Sequence, residues 1–585
     1  MNALDARAWT WIFVGVSLAV HAAVVVWSRA RAASAYYVAE RRSSPALNGM
    51  ATAADWISAA SFISMAGVVA SSGRDGSVYL VGWTGGYVLL AVLVAPYLRK
   101  YGKYTVPQFV GERYASKGAR AVAVGCAVFV SFTYVAGQLR GVGIVLARLV
   151  GLRVERAVLL GVAVVLLQAV LVGRRAATHT QVVRYAILLI AYLVPAIFLS
   201  LLLTGVPVPQ LGLGGRLSAG GAGLLGAEPG RPLLDALDGL GRELGFGRYT
   251  GGTRSRLDLL ASTLALMVGT VGLPHIVIRF FTVPKIRDAR ASAAWALLFI
   301  AVLYTTAPAL AAFVRATYLH AVEGTPYRSA PGWFTGWERT GLARFTDRNG
   351  DGIMSVSGDP ARNEVSVDPD ILVLAAPEIA RLPPWVTGLV AAGGLAAALS
   401  TATGLLLVIA ASISRDLVKG LWIPRLSERA EVGWARGAAT LSAAAAGWLA
   451  VHPPGHVAEV VAIAFGLAAS SFFPVLVAGI FWRRATREGA IWGMIAGTAF
   501  TTLYVHWFKF ARPDLDGPAH WLLGISPQGI GTVGMLINSA VLVVVSLRTP
   551  APPQAVQDLV TRLRQPREAD RAPGDAPAAG ARARW

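Results

Sequence analysis

Apolar residues in this chain gather in runs of 18 or more, at about 8–28, 47–71, 77–98, 121–150, 156–173, 181–204, 257–282, 293–315, 386–413, 433–451, 457–482, 489–508 and 530–547. About 20 such residues suffice for a helix to cross a bilayer. The pattern therefore predicts an all-α polytopic membrane protein with about thirteen spans. Polar punctuation orients it. Arg29, Arg31, Arg41 and Arg42 follow span 1, and Arg99, Lys100, Lys103 and Arg113 follow span 3. Arg174 and Arg175, then Lys285, Arg287 and Arg290, then Arg415, Lys419, Arg425 and Arg429 follow spans 5, 7 and 9. Arg483, Arg484 and Arg487 follow span 11, and Arg548, Arg562 and Arg564 follow span 13. Basic loops stay in the cytoplasm, so the expected topology is N-out/C-in, against a minority formed by Arg148, Arg153, Arg156, Lys509 and Arg512.

Two spans carry interruptions. Span 2 reads MATAADWISAASFISMAG, with Asp55 well inside the apolar run. An ionisable group there is costly, so it is either functional or bonded to nearby backbone. Span 7 reads ALMVGTVGLPHIVIRFF, and Gly269, Gly272 and Pro274 can break its helix ahead of His275 and Arg279. The two breaks lie five spans apart. Interrupted segments at matching positions in two halves point to an inverted-repeat transporter with its site at the midplane. Span 9 contains LAAALSTATGLLL, in which Ala397, Ser400 and Thr401 fall at i, i+3 and i+4 on one helix face. Such hydroxyls can bond back to their own helix. Facing a broken helix, they would instead meet carbonyls freed at Ala53 and Trp56, the oxygen-rich surround that a hard cation requires.

Composition narrows the field. The chain has 585 residues, only 15% of them charged, against about 25% in soluble proteins. The net charge of +21 is spread through loops between apolar segments rather than gathered on one face, which argues against nucleic acid. A single cysteine, Cys126, excludes an internal disulfide. There is no P-loop, no GxSxG elbow and no HExxH pair. The first span lacks a basic leader and a small-residue exit, so it reads as a span and not as a cleaved signal.

The expected divisions are residues 1–46 for the first span and a cytoplasmic linker, 47–510 for the transporter core, 511–548 for the last span and 549–585 for a disordered cytoplasmic tail. Two external loops are long, 205–256 and 316–385. The first is glycine-rich, with Leu233, Leu237, Leu240 and Leu244 on one amphipathic face. The second contains Asp347, Asn349, Asp351 and Gly352 in the D-x-N-x-D-G order of a calcium loop, but its twelfth position is Gly358 where a bidentate Glu belongs. A calcium site and a metal-free turn both remain open.

The stretches ADWISAASFISMAG, RKYGKYTVPQFVGERY, YVAGQLRGVG, ATHTQVVRYAILL, GTVGLPHIVIRFFTVPKIRDARAS, LAAALSTATGLLL and FFPVLVAGIFWRRATREGAIWG resemble the sodium:solute symporter family, and within it the acetate and monocarboxylate permease branch. The resemblance implies a core of spans 2 to 11 built as two inverted repeats that rock between outward and inward states. It implies one sodium site formed by carbonyls of Ala53, Trp56 and Ala397 and hydroxyls of Ser400 and Thr401, with Asp55 coupling sodium to transport. It also implies a small membrane subunit as a candidate partner beside the lipid bilayer.

One residue departs from that branch. Arg140 sits in the middle of span 4, some 15 Å from its outer end at 1.5 Å per residue. That is far for snorkelling, and pairing with Asp55 is the other structural option. An inward-facing guanidinium would match a carboxylate in two parallel bonds. Gln138, Thr270, His275 and Ser471 are its candidate neighbours at a site for a small organic anion. The expected function is secondary active transport in the plasma (inner) membrane, with inward sodium flow driving uptake of a monocarboxylate such as acetate. The alternatives are a sodium symporter for an amino acid or sugar and a transporter-fold sensor. A membrane enzyme lacks a catalytic constellation.

Overall fold

The computed structural model describes residues 5–32, 44–101, 105–172, 177–277 and 286–565. Arg279, the loop cations Arg41, Arg42, Lys103, Arg174, Arg175 and Lys285, and the last twenty residues of the expected tail lie outside them. Within the described residues each apolar segment falls in a helix or a broken pair of helices, from Ala6–Ala32 to Gly531–Arg548. Seven helical stretches there are long and apolar enough on their own to cross a membrane.

Both predicted interruptions are present. The Pro45–Trp56 helix starts at Ser44, whose hydroxyl accepts the Leu47 N–H at 3.3 Å, and leaves helical geometry at Ile57 (φ −75°, ψ 98°). It resumes as a wide turn over Ala60–Ser64 and continues through Met65–Ser72. The Arg256–Val271 helix ends at Gly272 and restarts as Pro274–Val277. Gly269 does not break the chain: it lies inside the first helix, and the break falls after it. At Gly272 a Cβ would stand 2.5 Å from the Ala468 carbonyl oxygen, so only glycine lets the break press against the Val457–Phe481 helix.

Packing centres on these breaks. Pro384–Ala411 lies against Lys117–Val150, Ala177–Thr204 and Ala6–Ala32, while Ile286–Val322 covers Pro45–Trp56. Arg256–Val271 is wedged between Ser77–Leu89 and Val457–Phe481. Ala53, Ala54, Ala397, Phe62 and Leu139 are wholly buried there. Cys126, on the Lys117–Val150 helix, is buried too, with its sulfur 3.7 Å from the Thr498 hydroxyl.

Two expectations about the connecting segments need correction. Residues 316–322 still belong to the Ile286–Val322 helix, so the second long loop begins later. Within that loop Thr325–Pro326 pairs antiparallel with Ile353–Met354, and Ala343–Phe345 with Val365–Val367. The tail is not disordered throughout. Gln554–Arg564 is helical and buries Val556, Val560 and Leu563, an i, i+4, i+7 stripe laid against the Val457–Phe481 helix and its neighbours. In the first loop the amphipathic piece does form a helix, Leu233–Glu243, with Leu233 and Leu237 fully buried.

Candidate functional site

At the first break the backbone runs short of its own donors. The N–H of Ala59, which would serve the Asp55 carbonyl in an unbroken helix, goes instead to Gln138 Oε1 at 2.9 Å. The span 9 hydroxyls fill the gap. Thr401 donates to the Asp55 carbonyl at 3.3 Å and reaches its own Ala397 carbonyl at 3.5 Å. Ser400 donates to the Ala54 carbonyl at 3.2 Å and lies 2.8 Å from Gln181 Oε1. Both span 9 hydroxyls thus reach carbonyls at the first break, but not the two expected. The hydroxyls meet Ala54 and Asp55, whereas the Ala53 carbonyl accepts the Ile57 N–H at 2.8 Å. The Trp56 carbonyl lies at the break itself.

Asp55 is 8% exposed and its Oδ1 accepts a hydrogen bond from Gln181 Nε2. Arg184, one turn further along the same helix, donates to Gln181 Oε1 at 3.4 Å and Gln168 Oε1 at 3.3 Å, within the field of Asp55. Gln181 therefore touches both the Ser400 hydroxyl and the Asp55 carboxylate. Neither Gln181 nor Arg184 was singled out from the sequence. Two polar side chains opening an otherwise apolar span, at i and i+3, were the available signal. Asp55 does not pair with Arg140.

The expected solute residues divide. Gln138 is fully buried; its Oε1 is used by Ala59, and its Nε2 is a donor without a hydrogen-bond partner. Tyr87, also fully buried, likewise has an unpartnered hydroxyl. Its ring meets that of Trp56 edge-on at 5.3 Å. Phe465 lies 6.4 Å from Trp56 and 5.8 Å from Tyr134, and Tyr134 lies 5.3 Å from the His275 ring. His275 thus belongs to an aromatic cluster beside the break. Thr270 and Ser471 are buried but donate back to Leu266 and Leu467, at 2.9 and 2.6 Å, as membrane hydroxyls do.

Arg140 goes elsewhere. Two residues along a helix is about 200° around its axis, and the guanidinium turns away from Gln138 to within 4.0 Å of Asp368 Oδ2. Asp368 also lies 3.4 Å from His456 Nδ1 and accepts the Asp370 N–H at 2.9 Å. Asp370 accepts the Val457 N–H at 2.9 Å, a carboxylate at a helix N-terminus. Gly67 has no Cβ to obstruct the loop; one would stand 1.9 Å from the Pro369 carbonyl oxygen. This cluster ties the second long loop to three helices. Burial and the Asp368 charge raise Asp370 to about 6. Burial lowers His456, but the Asp368 hydrogen bond and the charges of Asp370, Asp368 and Glu459 outweigh it, to about 9. Burial raises Asp368, yet His456, the Asp370 N–H and Arg140 hold it below its ordinary value.

Comparison with known proteins bears on the family and the fold. The model of the sodium:solute symporter family matches residues 36–323 and 366–497. An uncharacterized symporter of Cupriavidus necator is 36% identical over 95% of this chain and 93% of its own length. The uncharacterized symporter YwcA of Bacillus subtilis is 28% identical over 80% of each chain. Among solved structures, a substrate-bound, outward-open Na+-coupled sialic acid symporter superposes with a TM-score of 0.63 at 14% identity. The match spans 93% of this chain and 99% of that one. The chain belongs to the sodium:solute symporter family, and is a multi-pass membrane transporter that couples solute movement to sodium rather than an enzyme.

Proposed function

We propose that the chain takes up a small monocarboxylate of the acetate class, driven by inward sodium flow, with its N-terminus outside and its C-terminus in the cytoplasm. The observation that carries this reading is the pair of buried, unpartnered donors, Gln138 Nε2 and the Tyr87 hydroxyl, beside the break and the aromatic cluster. A buried donor without an acceptor costs about 1–3 kcal/mol. A carboxylate is acceptor-only and would satisfy such donors, while the aromatic rings cover a short alkyl group. Sodium is assigned to the carbonyls of Ala53, Trp56 and Ala397 and the hydroxyls of Ser400 and Thr401. The support is that those hydroxyls reach the first break, where they now bond to the neighbouring carbonyls of Ala54 and Asp55.

Charge balance supplies the coupling. Asp55 lies in the field of Arg184, which leaves the cation of a sodium site short of a dedicated counter-charge. An anionic solute bound nearby lowers the cost of burying the sodium charge, and sodium does the same for the anion. Arg140, held by Asp368, belongs to the approach to the site rather than to the site itself.

The test is uptake of labelled acetate into proteoliposomes under an imposed sodium gradient, competed by unlabelled acetate, propionate, pyruvate, alanine and glucose. The expected result is sodium-dependent uptake suppressed by the carboxylates alone. Suppression by alanine or glucose at equal concentration, with the carboxylates inert, would overturn the assignment of solute class.

A further inference from the structure

We propose that the second long loop holds a calcium-class divalent cation between Asp347, Asp351 and Glu364, with Asn349 beside them. The D-x-N-x-D-G order supplies the first half of such a site, and Gly352 at its sixth position has φ +69°, the left-handed conformation that the sharp turn of a calcium loop demands. The twelfth position, Gly358, carries no ligand. The fold replaces it. Past Gly358 the chain turns at Asp359 and comes back. The Glu364 N–H bonds to the Ser355 carbonyl at 3.0 Å and its carbonyl accepts the Thr346 N–H at 2.8 Å. This returns a carboxylate to the loop six residues later than a linear motif allows.

One carboxylate oxygen from each of Asp347, Asp351 and Glu364 lies within 4.8 Å of the other two. Calcium–oxygen distances are about 2.3–2.6 Å, and two oxygens on opposite sides of such an ion stand about 4.6–5.2 Å apart. The three groups are therefore spaced to share one ion. Glu364 provides the independent indication. It is only 4% exposed, its Oε1 accepts the Arg348 and Asn349 N–H groups at 2.9 and 3.3 Å, and its Oε2 is buried with no hydrogen-bond partner. A carboxylate that meets two others and keeps a buried, acceptor-only oxygen unpartnered is well matched to a cation.

The position of the site separates it from sodium transport. The two stretches matched by the family model end at 323 and resume at 366, and the proposed ligands fall between them. Glu364 opens directly into the Val365–Val367 strand, which leads to Asp368 and its contacts with Arg140 and His456. A bound cation would fix the approach of that strand.

The experiment uses the full chain in detergent, stripped with EGTA, and follows thermal unfolding by intrinsic fluorescence. CaCl2, MgCl2 and NaCl are titrated at matched ionic strength. Calcium should raise Tm saturably, with a midpoint of about 0.1–1 mM, the range of extracellular calcium modules. Magnesium and sodium should do so less or not at all. Glu364→Gln should shift the calcium midpoint at least tenfold, and Asp359→Asn, outside the trio, should leave it unchanged. If Glu364→Gln fails to fold, Asp351→Asn carries the same comparison. A calcium effect no larger than that of magnesium or sodium, or a Glu364→Gln midpoint equal to wild type, overturns the proposal.

Discussion

Gln138 has two ends with different duties, and they can be separated. Glutamate keeps an oxygen for the Ala59 N–H but replaces the Nε2 donor with a negative charge. Gln138→Glu should therefore fold and bind sodium, yet weaken carboxylate binding more than tenfold in calorimetry. Unchanged solute Kd would remove Gln138 from the site. At the sodium cluster, Ser400→Ala and Thr401→Ala should each raise the sodium concentration for half-maximal uptake. One lost polar contact costs about 1–3 kcal/mol, or roughly five- to hundred-fold. Wild-type sodium dependence in both variants would misplace the cluster. These hydroxyls were legible because they stand alone in an apolar run at helical spacing. Arg140 was legible as an oddity but not in its role, because its partner Asp368 is on a distant loop and no local pattern links them. Gln181 stayed hidden for a similar reason: its meaning lies in touching Ser400 and Asp55 at once.

Helix ends carry the next lesson. Arg113 follows the third apolar segment in a basic cluster and was read only as a marker of the cytoplasmic side. In the fold it is fully buried and donates to the carbonyls of Gly479 at 2.6 Å and Trp482 at 2.9 Å, closing the C-terminus of the Val457–Phe481 helix. A cation there satisfies orphan carbonyls and the helix dipole together. Arg113→Met should cost about 3 kcal/mol, seen as a lowered Tm in detergent, and Arg113→Lys should recover only part, since an ammonium lacks the planar fork. The same helix receives the Gln554–Arg564 segment. Averaged over the whole tail, proline, alanine and arginine mask its stripe; over eleven residues Val556, Val560 and Leu563 are plain. Removing residues 553–585 should lower Tm while leaving sodium-driven uptake intact. Lost uptake with unchanged Tm would give the tail a different role.

At the level of the whole molecule, the loop that carries Asp368 and Asp370 clasps two helices through charge and packs closely on a third, so its grip depends on pH. The raised His456, at about 9, stabilises the fold fully below about 6.5, and that contribution is lost as pH rises through 9. The raised Asp370, at about 6, acts in the same direction in a lower window, losing its contribution as pH rises from about 4 to 6. Between pH 8 and 10 the wild-type Tm should fall by more than that of His456→Gln. Parallel curves would show that the imidazole carries no such weight. The helical spans could be read from the apolar runs, because burial in a bilayer leaves few choices of pattern, and the two breaks from the aspartate, glycines and proline set inside those runs. The clasp could not, since it joins residues from four separate stretches of chain.

Cys126 has a practical consequence. As the chain's lone thiol, sealed between the Lys117–Val150 helix and Thr498, it offers a maleimide or nitroxide reagent almost nothing to attack. The native sequence is thus already a silent background for site-directed labelling. Arg153→Cys, just ahead of the Val154–Val172 helix, and Leu257→Cys, in the first turn of Arg256–Val271, are both exposed and would carry a spin-label pair without prior removal of native cysteines. Electron–electron dipolar spectroscopy on that pair, with and without sodium and acetate, would count outward and inward populations directly in the unmutated core.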